Sequence, residues 1–408
     1  MFRRNLLDNV LQAVEDTPVI FLNGPRQSGK STMMESLKKS LDSVDYFTLD
    51  DATTLEIIKR DPQLFLSQQS ANHIIIDEVQ KVPNLLPAIK LLVDRNRQPG
   101  RFLLTGSADI LLLPKISESL AGRSEILTLY PLSVGELKNK KETFISRAYQ
   151  GNFESLPTDL DELMMLIHQG GFPEVISRKN DNRKRAWFHS YIETILQRDV
   201  QSLARIEGLT KLPHLLKLIA TRPGAILRYE ELANTSDLPT TTLKRYLTLL
   251  ETFFLTHTLA PWSNHKGKRL VKSPKLYIND IGLLSYLLDL NSKSLNPLSH
   301  EWGKLVETFA INEIKKIASW TEPRPHLYYF RTQDKKEVDL VIQSAEQKII
   351  GIEIKASKTL HKNDFNPMHH LKESTGHLFH RGIILYLGDQ VLPFGPDMYA
   401  IPISNLWQ

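Results

Sequence analysis

A glycine-rich turn directly after a short apolar run is the feature that most constrains this chain. Residues 18–22 read Pro-Val-Ile-Phe-Leu, and residues 24–31 have the spacing glycine, four residues, then Gly-Lys-Ser. A strand followed by such a turn and a helix forms a cradle in which backbone N–H groups point at phosphate oxygens. The pattern predicts a nucleotide-binding P-loop. Its predicted cofactor-binding residues are Gly24, Pro25, Arg26, Gln27, Ser28, Gly29, Lys30, Ser31 and Thr32.

Two acids downstream complete a site for hydrolysis. In a P-loop, the lysine (Lys30) reaches the β- and γ-phosphates of ATP, and the following hydroxyl (Ser31) is a ligand for Mg²⁺. The apolar run 73–76 ends in Asp77 and Glu78. At the carboxyl end of a parallel strand, Asp77 would hold Mg²⁺ through water and Glu78 would polarise the attacking water. We therefore predict Lys30 and Glu78 as catalytic residues, and Ser31 and Asp77 as metal-binding residues.

Four further polar residues are candidates for contacts with the γ-phosphate. The run 102–105 ends in Thr105, and Ser107 follows two residues later, so both are sensor candidates and Ser107 is predicted to bind the nucleotide. Arg123, which follows a glycine, is predicted to be an arginine finger, and Arg198 is the second candidate. Because a finger of this kind reaches the γ-phosphate of a neighbouring subunit, we expect a homo-oligomer.

Composition is that of a globular protein of about two or three domains. The chain has 408 residues, of which 41% are apolar and 24% charged. Its net charge of +5 permits contact with nucleic acid without requiring it. The absence of cysteine excludes disulfides, thiolate metal sites and cysteine nucleophiles. We find no apolar run of about 18 residues and no apolar leader segment, so we expect a cytoplasmic protein that makes no membrane contact.

The order of predicted elements divides the chain into three regions. Residues 1–150 alternate strands and helices, which favours a P-loop NTPase domain with a parallel sheet and helices on both faces. Residues 151–298 form a helical linker and end in the helix, short helix, helix, hairpin order of a winged helix. Residues 299–408 begin with a long helix that strands follow. The predicted fold class is α/β, with the helical and winged-helix region between two α/β domains.

Four charged residues of the last region form a nuclease-like pattern. Asp339 lies on a predicted strand, and Glu353 and Lys355 share one face of the next strand because they are two residues apart. With Glu307 on the preceding helix, these carboxylates could hold Mg²⁺, and Lys355 could orient a water or stabilise developing charge. The pattern predicts a restriction-endonuclease-like domain with four catalytic candidates. The alternative is an amphipathic strand with a solvated glutamate and lysine. The candidates are Glu307, Asp339, Glu353 and Lys355.

Basic residues of the middle region are candidates for contact with DNA. Lys244 and Arg245 lie on the helix that would enter a groove, and the loop 265–269 with Lys272 would contact phosphates. Many winged helices bind protein instead. A DNA partner and a protein partner therefore both remain open.

Several short motifs together resemble a known family. They are residues 24–32, 74–80, 104–107, 120–123, 130–133, 170–174, 198–200, 276–284, 337–339 and 352–355. The chain resembles the bacterial and archaeal AAA-type ATPases that pair an N-terminal P-loop domain with the C-terminal domain of unknown function DUF4143. The resemblance implies an AAA+-like or STAND-like ATPase core, a winged helix and a restriction-endonuclease-like C-terminal fold. It implies no settled cellular role, and members differ in whether the nuclease-like acids are retained.

Three functional hypotheses follow from these patterns. The leading one is Mg²⁺-dependent binding and hydrolysis of ATP, coupled to a C-terminal module that engages nucleic acid. A second is an ATP-gated nuclease that cleaves DNA through the C-terminal acids. A third is a nucleotide-dependent switch whose nuclease-like domain only docks a protein partner. A GTPase is disfavoured because the chain lacks an Asn-Lys-x-Asp segment for guanine.

Overall fold

The computed structural model of the protein describes residues 2–106, 118–199, 211–264, 273–291 and 295–408. Within these ranges three sheets follow one another along the chain, with five, three and six strands. Helices of the middle region connect the first sheet to the other two.

The first sheet is parallel and confirms the predicted P-loop fold. Its strands are β1 (Val19–Asn23), β2 (Val44–Thr48), β3 (His73–Asp77), β4 (Phe102–Thr105) and β5 (Ser124–Thr128). Their spatial order is β2-β3-β4-β1-β5. The side chains of successive residues of β1 pack on opposite faces of the sheet, since Phe21 belongs to one apolar cluster and Leu22 to another. Strands buried on both faces read as continuous apolar runs, which is why β1, β3 and β4 were recognisable in the sequence.

Helices cover both faces of this sheet, as predicted. They are α1 (Leu7–Asp16), α2 (Lys30–Leu37), α3 (Ala52–Arg60), α4 (Pro62–Ser67) and α5 (Leu85–Arg95). Val10 of α1 and Met34 of α2 pack on one face, and Ile89 of α5 packs on the other. Asp51 is the N-cap of α3, and its carboxylate accepts a hydrogen bond of 2.8 Å from the backbone N–H of Thr54.

The strand order sets the place of the phosphate site. Strand β4 lies between β1 and β3, with Leu22 opposite Thr105 and Ile76 opposite Leu104. The turn after β1, the end of β4 and Asp77 at the end of β3 therefore meet at the carboxyl edge of the sheet. Ligands of parallel α/β sheets bind at this edge.

The middle region is mostly helical and contains a small antiparallel sheet. Its helices are α6 (Val134–Leu137), α7 (Phe144–Gln150), α8 (Leu160–Gln169), α9 (Pro173–Ile176), α10 (Asp181–Glu193), α11 (Leu212–Ala220), α12 (Tyr229–Ser236), α13 (Thr240–Thr252) and α14 (Ile281–Leu287). Its strands are β6 (Ala225–Ile226), β7 (Thr256–Leu259) and β8 (Lys275–Ile278). They pair in the order β6-β8-β7, beside α11, α12 and α13. This is the element order predicted for a winged helix, and that interpretation stays a prediction.

The C-terminal domain is α/β, as predicted, with a mixed sheet. Its elements are α15 (His300–Trp320), β9 (His326–Arg331), β10 (Glu337–Gln343), β11 (Ile349–Lys355), α16 (Asn366–Thr375), β12 (Phe379–Tyr386), β13 (Leu392–Pro393) and β14 (Met398–Pro402). The strand order is β13-β14-β12-β11-β10-β9. The last two strands, β13 and β14, were not predicted, because prolines at 393, 396 and 402 obscure the strand pattern in this segment.

The helix α15 packs against both the middle region and the C-terminal sheet. Apolar residues such as Phe309 and Ile314 join one core cluster that runs from Val134 to Trp407. The same helix also carries buried polar residues, among them Glu313 and Lys316. Across the described part of the chain, no helix combines the length and apolar character that crossing a membrane requires.

A buried polar junction joins the N-terminal segment to the loop after β5. Arg4 Nε donates to Glu136 Oε1 at 3.1 Å, and the backbone N–H of Asn5 donates to the same oxygen at 2.7 Å. Glu142 Oε2 accepts from Ser133 Oγ at 2.6 Å and from Asn5 Nδ2 at 2.9 Å. Ser133 and Glu136 also form a reciprocal capping box at the start of α6. These contacts fasten residues far apart in the chain around α6.

The helix α15 contributes the other side of the junction. Glu313 Oε2 accepts from the backbone N–H of Val134 at 2.8 Å, and Lys316 Nζ bonds Glu313 Oε1 at 2.6 Å and the Leu132 carbonyl oxygen at 2.9 Å. Burial, and then the nearby Glu313 carboxylate, raise the pKa of Glu142 to about 8. The junction therefore contains a carboxyl group that holds its proton at neutral pH.

We predict that Glu142 makes folding pH-dependent. Its folded pKa of about 8 lies above its ordinary value of 4.5, so its stabilising contribution is full below 4.5 and is lost as the pH rises through 8. The Glu142→Gln variant should lose this dependence, with the difference approaching about 1.4 kcal/mol per pH unit inside that window. Urea unfolding at several pH values measures it. Glu15→Gln, at an exposed site, is the control, and an unchanged pH slope in Glu142→Gln would contradict the prediction.

Candidate nucleotide site

The P-loop has a backbone shape that requires glycine at two positions. Gly24 has a φ of 148° and Gly29 a φ of 95°, a region that side chains disfavour. A Cβ atom on Gly24 would lie 2.2 Å from the carbonyl oxygen of Leu129. Gly29 is the N-cap of α2, so the free N–H groups of that helix open toward the loop. The predicted cradle for phosphate is therefore formed by the backbone itself.

Lys30 lies in this cradle as the first residue of α2. Its ammonium donates to the carbonyl oxygens of Gly24 at 3.0 Å and Pro25 at 2.9 Å. Burial lowers the pKa of Lys30 to about 8, against the opposing effect of the Glu78 and Asp77 carboxylates. A bound phosphate chain would exchange neutral carbonyl partners for charged oxygens and hold the lysine protonated.

Asp77 is buried at the end of β3 and oriented by two hydroxyl groups. The Thr105 hydroxyl donates to Asp77 Oδ1, and the Tyr46 hydroxyl donates to Oδ2 at 3.3 Å. Burial, and then the charge of Asp77, raise the pKa of Tyr46, so this phenol stays a donor. Thr105, predicted as a sensor of the γ-phosphate, is thus a direct partner of the predicted metal-binding acid.

Glu78 has an unusual backbone for a residue that is not glycine. Its φ of 63° and ψ of 42° lie in the left-handed region, where strain is often associated with function. Its N–H donates to Thr105 Oγ1 at 3.2 Å, and its carboxylate accepts a hydrogen bond from the Gln80 side-chain amide. The turn directs the second acid away from the strand and into the cavity beside the P-loop.

A cavity of about 730 Å³ lies between the P-loop and the middle region. Lys30, Ser31 and Glu78 line it on one side, and Trp187 and Tyr191 of α10 line it on the other. The Tyr191 hydroxyl donates to the carbonyl oxygen of Arg26 at 3.4 Å. The sequence did not indicate that α10 takes part in the site, although the motif at 170–174 that precedes it was a recognisable signal.

A second, mostly apolar cavity of about 340 Å³ adjoins the other side of the P-loop. Phe2, Leu7 and Met33 contribute apolar side chains to it, and Thr32 of the P-loop lines it as well. Thr32 also lines the larger cavity, which makes the two neighbours. The two cavities share Gly29, Thr32 and Pro173 in their linings.

Arg4 supports the P-loop from behind. Its Nη1 donates to the carbonyl oxygen of Ser28 and its Nη2 to that of Tyr130, both at 2.6 Å. With the contact to Glu136, this single guanidinium joins three separate segments. No motif in the sequence marked Arg4, because its partners lie far away along the chain.

The predicted arginine finger lies away from the P-loop of its own chain. Arg123 Nε pairs with Asp94 Oδ1 at 2.5 Å, and its carbonyl oxygen accepts from the N–H of Val19 at the start of β1. Lys30 follows the opposite end of that strand, so only the site of another subunit is available to Arg123, and this role stays a prediction. Ser107 and the side chain of Arg198, the other candidates, lie outside the described residues.

The C-terminal candidates do come together. Asp339 Oδ2 accepts from the backbone N–H of Ile354 at 2.9 Å, which places it beside Glu353, and Lys355 Nζ lies 2.9 Å from Glu353 Oε1. Glu307 reaches the same group through Lys275, a residue that the sequence pattern did not indicate. Within the described residues no three acidic, histidine or cysteine side chains are arranged to hold a metal ion. The structure therefore assembles these residues without forming a metal centre.

Three family models match the chain in succession. An AAA domain matches residues 16–138, a domain of unknown function (DUF8612) residues 160–294, and a domain of unknown function (DUF4143) residues 302–406. The parallel sheet and the P-loop geometry agree with the first of these. The protein is an AAA-type P-loop ATPase that carries a C-terminal DUF4143 domain.

The chain belongs to the family of the uncharacterized protein Rv2008c of Mycobacterium tuberculosis. The two are 32% identical over 409 residues, which cover 99% of this chain and 84% of that protein. The uncharacterized protein MJ1544 of Methanocaldococcus jannaschii is 24% identical over 81% of this chain and 73% of its own length. Among solved structures, the Walker-type ATPase PABY2304 of Pyrococcus abyssi is similar to 71% of this chain and 96% of its own, at 16% identity and a TM-score of 0.45.

We predict that Arg4 is needed for tight binding of nucleotide. The Arg4→Lys variant keeps a cation beside Glu136, but a lysine lacks the planar fork that reaches two carbonyl oxygens at once. Losing one or two charge-assisted hydrogen bonds should weaken ATP binding about tenfold. Calorimetric titration with ATP measures this, and Arg95→Lys at the exposed end of α5 is the matched control. Equal affinities for the two variants would contradict the role of Arg4.

Proposed function

We propose that this protein binds ATP with Mg²⁺ and hydrolyses it at the P-loop. The observation that carries the proposal is one shared cavity. It is lined by Lys30 and Ser31 from the start of α2 and by Glu78 from the end of β3. A phosphate-binding lysine, a hydroxyl and a carboxylate thus face the same volume. Hydrolysis of a phosphoanhydride by water requires this set of groups.

The residues fit a magnesium ion by their chemistry. The Ser31 hydroxyl and the Asp77 carboxylate are hard oxygen donors of the kind Mg²⁺ prefers, and they leave positions for water and phosphate oxygens. Thr105 and Tyr46 hold Asp77 in a fixed orientation. When bound, Mg²⁺ neutralises charge that develops on the β- and γ-phosphate oxygens.

Each protein group has a distinct task in the proposed reaction. Lys30 binds the γ-phosphate, and the N–H groups of the P-loop orient the phosphate chain for in-line attack. Glu78 accepts the proton of the attacking water. The Gln80 amide donates to Glu78 Oε2 and orients the carboxylate, and Oε1 is the oxygen that would accept the proton of the attacking water.

The second cavity is the proposed site of the adenine base. Its apolar lining, which includes Leu7 and Met33, suits the faces of an aromatic ring. It adjoins Gly29 and Thr32, where the phosphate chain of a bound nucleotide would begin. The N-terminal segment would then contribute to binding both through Arg4 and through this apolar contact.

We predict that two variants separate binding from hydrolysis. Glu78→Gln removes the base but keeps the shape of the side chain, so the rate of phosphate release should fall about 100-fold or more with ATP binding retained. Lys30→Ala should abolish both binding and hydrolysis. Phosphate release and calorimetry measure the two properties, with Glu56→Gln at an exposed site of α3 as the control. Full activity of Glu78→Gln would refute the assignment of the base.

We propose as a second function that the middle region contacts nucleic acid. Lys244 and Arg245 are exposed on α13, the third helix of the predicted winged helix, with Thr241 exposed one turn earlier. Lys244 lies 5.1 Å from the centre of the Tyr229 ring of α12, which supports its position at the surface. An exposed helix face with two adjacent cations suits phosphate contacts. The basic loop 265–272 lies outside the described residues.

We predict a salt-sensitive interaction with duplex DNA that depends on this face. The Lys244→Ala/Arg245→Ala double variant should weaken binding and reduce the slope of log K against log salt by about 2. Fluorescence anisotropy at several salt concentrations measures it. The Lys59→Ala/Arg60→Ala variant removes two exposed charges from α3 and is the matched control. Binding that does not respond to salt would favour a protein partner, as in a nucleotide-dependent switch.

A further inference from the structure

A buried lysine from the middle region lies inside the C-terminal group of acids. Lys275 is the first residue of β8, and its side chain is 1% exposed. Its Nζ lies 2.6 Å from Glu337 Oε1, 3.4 Å from Glu307 Oε1 and 3.7 Å from Asp339 Oδ1. One ammonium thus contacts carboxylates from α15 and from two positions of β10. We call the four carboxylates Glu307, Glu337, Asp339 and Glu353 the acidic pocket.

Other donors satisfy most of the remaining oxygens of the acidic pocket. Glu307 Oε1 accepts from the Tyr277 hydroxyl at 3.0 Å, and Glu307 Oε2 from Lys304 Nζ at 2.8 Å. Arg331 Nη1 donates to Glu337 Oε2 at 3.0 Å. The contacts resemble those of a filled ion-binding site, except that the central cation is an ammonium.

Cationic side chains compensate the carboxylates of this group without a metal ion. They are Lys275, Lys304, Arg331 and Lys355. Buried carboxylates are stable only when opposite charges or hydrogen bonds compensate them. A divalent cation added to this arrangement would lie against the Lys275 ammonium, which carries a like charge. The pocket therefore does not fit Mg²⁺ while Lys275 occupies it.

One atom indicates what the pocket would bind without the lysine. Glu353 Oε2 is buried and has no hydrogen-bond partner among the residues that the structure describes. The oxygens of Glu307, Glu337 and Asp339 that contact the Lys275 ammonium would face the same position if the ammonium were removed. Carboxylate oxygens are the ligands that hard divalent cations take.

We propose that the acidic pocket is a latent site for a hard divalent cation, and that the Lys275 ammonium takes the place of the metal. With β8 docked, the site holds the middle region to the C-terminal domain and is closed to Mg²⁺ or Mn²⁺. The Asp…Glu-x-Lys pattern then functions as a socket for a lysine of the same chain. Because the pocket is separate from the P-loop, this inference does not depend on the proposed ATPase reaction.

Titration with Mn²⁺ tests the proposal in the full-length chain. All proteins carry Asp77→Asn to remove metal binding at the P-loop, and no nucleotide is present. Lys275→Met keeps most of the apolar stem and removes the ammonium, and Lys275→Met/Asp339→Asn is the matched control. We expect Lys275→Met to bind Mn²⁺ at least about tenfold more tightly than the parent protein, with the gain absent from the double variant. Free Mn²⁺ can be measured by electron paramagnetic resonance.

Thermal stability gives a second measurement, which still tests the proposal if the Lys275→Met variant is less stable. Removing Lys275 leaves buried carboxylates uncompensated, so Lys275→Met should be less stable than the parent protein without metal. Mn²⁺ at about 100 times its Kd should raise the Tm of this variant by about 5 °C, with no rise for the parent protein. Mn²⁺ binding by the parent protein that Asp339→Asn abolishes would overturn the proposal. So would a Lys275→Met variant whose stability and Mn²⁺ binding match those of the double variant.

Discussion

The nucleotide site depends on a cation from outside its own motif. The Arg4 guanidinium donates to the carbonyl oxygens of Ser28 and Tyr130 and pairs with Glu136. A P-loop presents its N–H groups to phosphate, so its carbonyl groups must find partners on the opposite side. Arg4 is the partner of one such carbonyl group, that of Ser28, and the same side chain also bonds the segment after β5. The shape of the phosphate cradle is thus set by the N-terminal segment as well as by glycine.

Motifs that carry no catalytic group build the wall behind this cradle. The N–H of Leu132 donates to the carbonyl oxygen of Gly171 at 2.8 Å, and the N–H of Gly171 donates to Asp280 Oδ2 at 2.9 Å. A Cβ on Gly171 would lie 2.3 Å from the Leu132 carbonyl oxygen, so only glycine permits the contact. Two residues later, Pro173 lines both cavities beside the P-loop. Three motifs that are distant in the sequence therefore meet at one backbone contact.

The sequence predicted what is local and missed what is not. The strand, turn and helix around Gly24 and Lys30 are contiguous, and Asp77 with Glu78 directly follows a buried strand, so both halves of the site were recognisable. Arg4 pairs with a residue 132 positions away, and Lys275 with one 32 positions away. When distant elements bury a lysine or an arginine, the residues next to it in the sequence do not reveal that it is buried. Such residues can be identified only once the fold brings their partners together.

Short segments of the chain link the acidic pocket around Lys275 to the elements around the P-loop that Arg4 supports. Lys275 lies in the acidic pocket, and five residues later Asp280 holds the loop of Gly171, which leads to Pro173 at the cavities beside the P-loop. On α15, Glu307 belongs to the acidic pocket and Glu313 to the polar junction, and the two residues are about 9 Å apart along a helix that rises 1.5 Å per residue. The residue that holds the Gly171 loop and the lysine that fills the acidic pocket therefore lie on one short segment of the chain. The acidic pocket that Lys275 fills is thus connected, through two separate segments of the chain, to the elements around the P-loop.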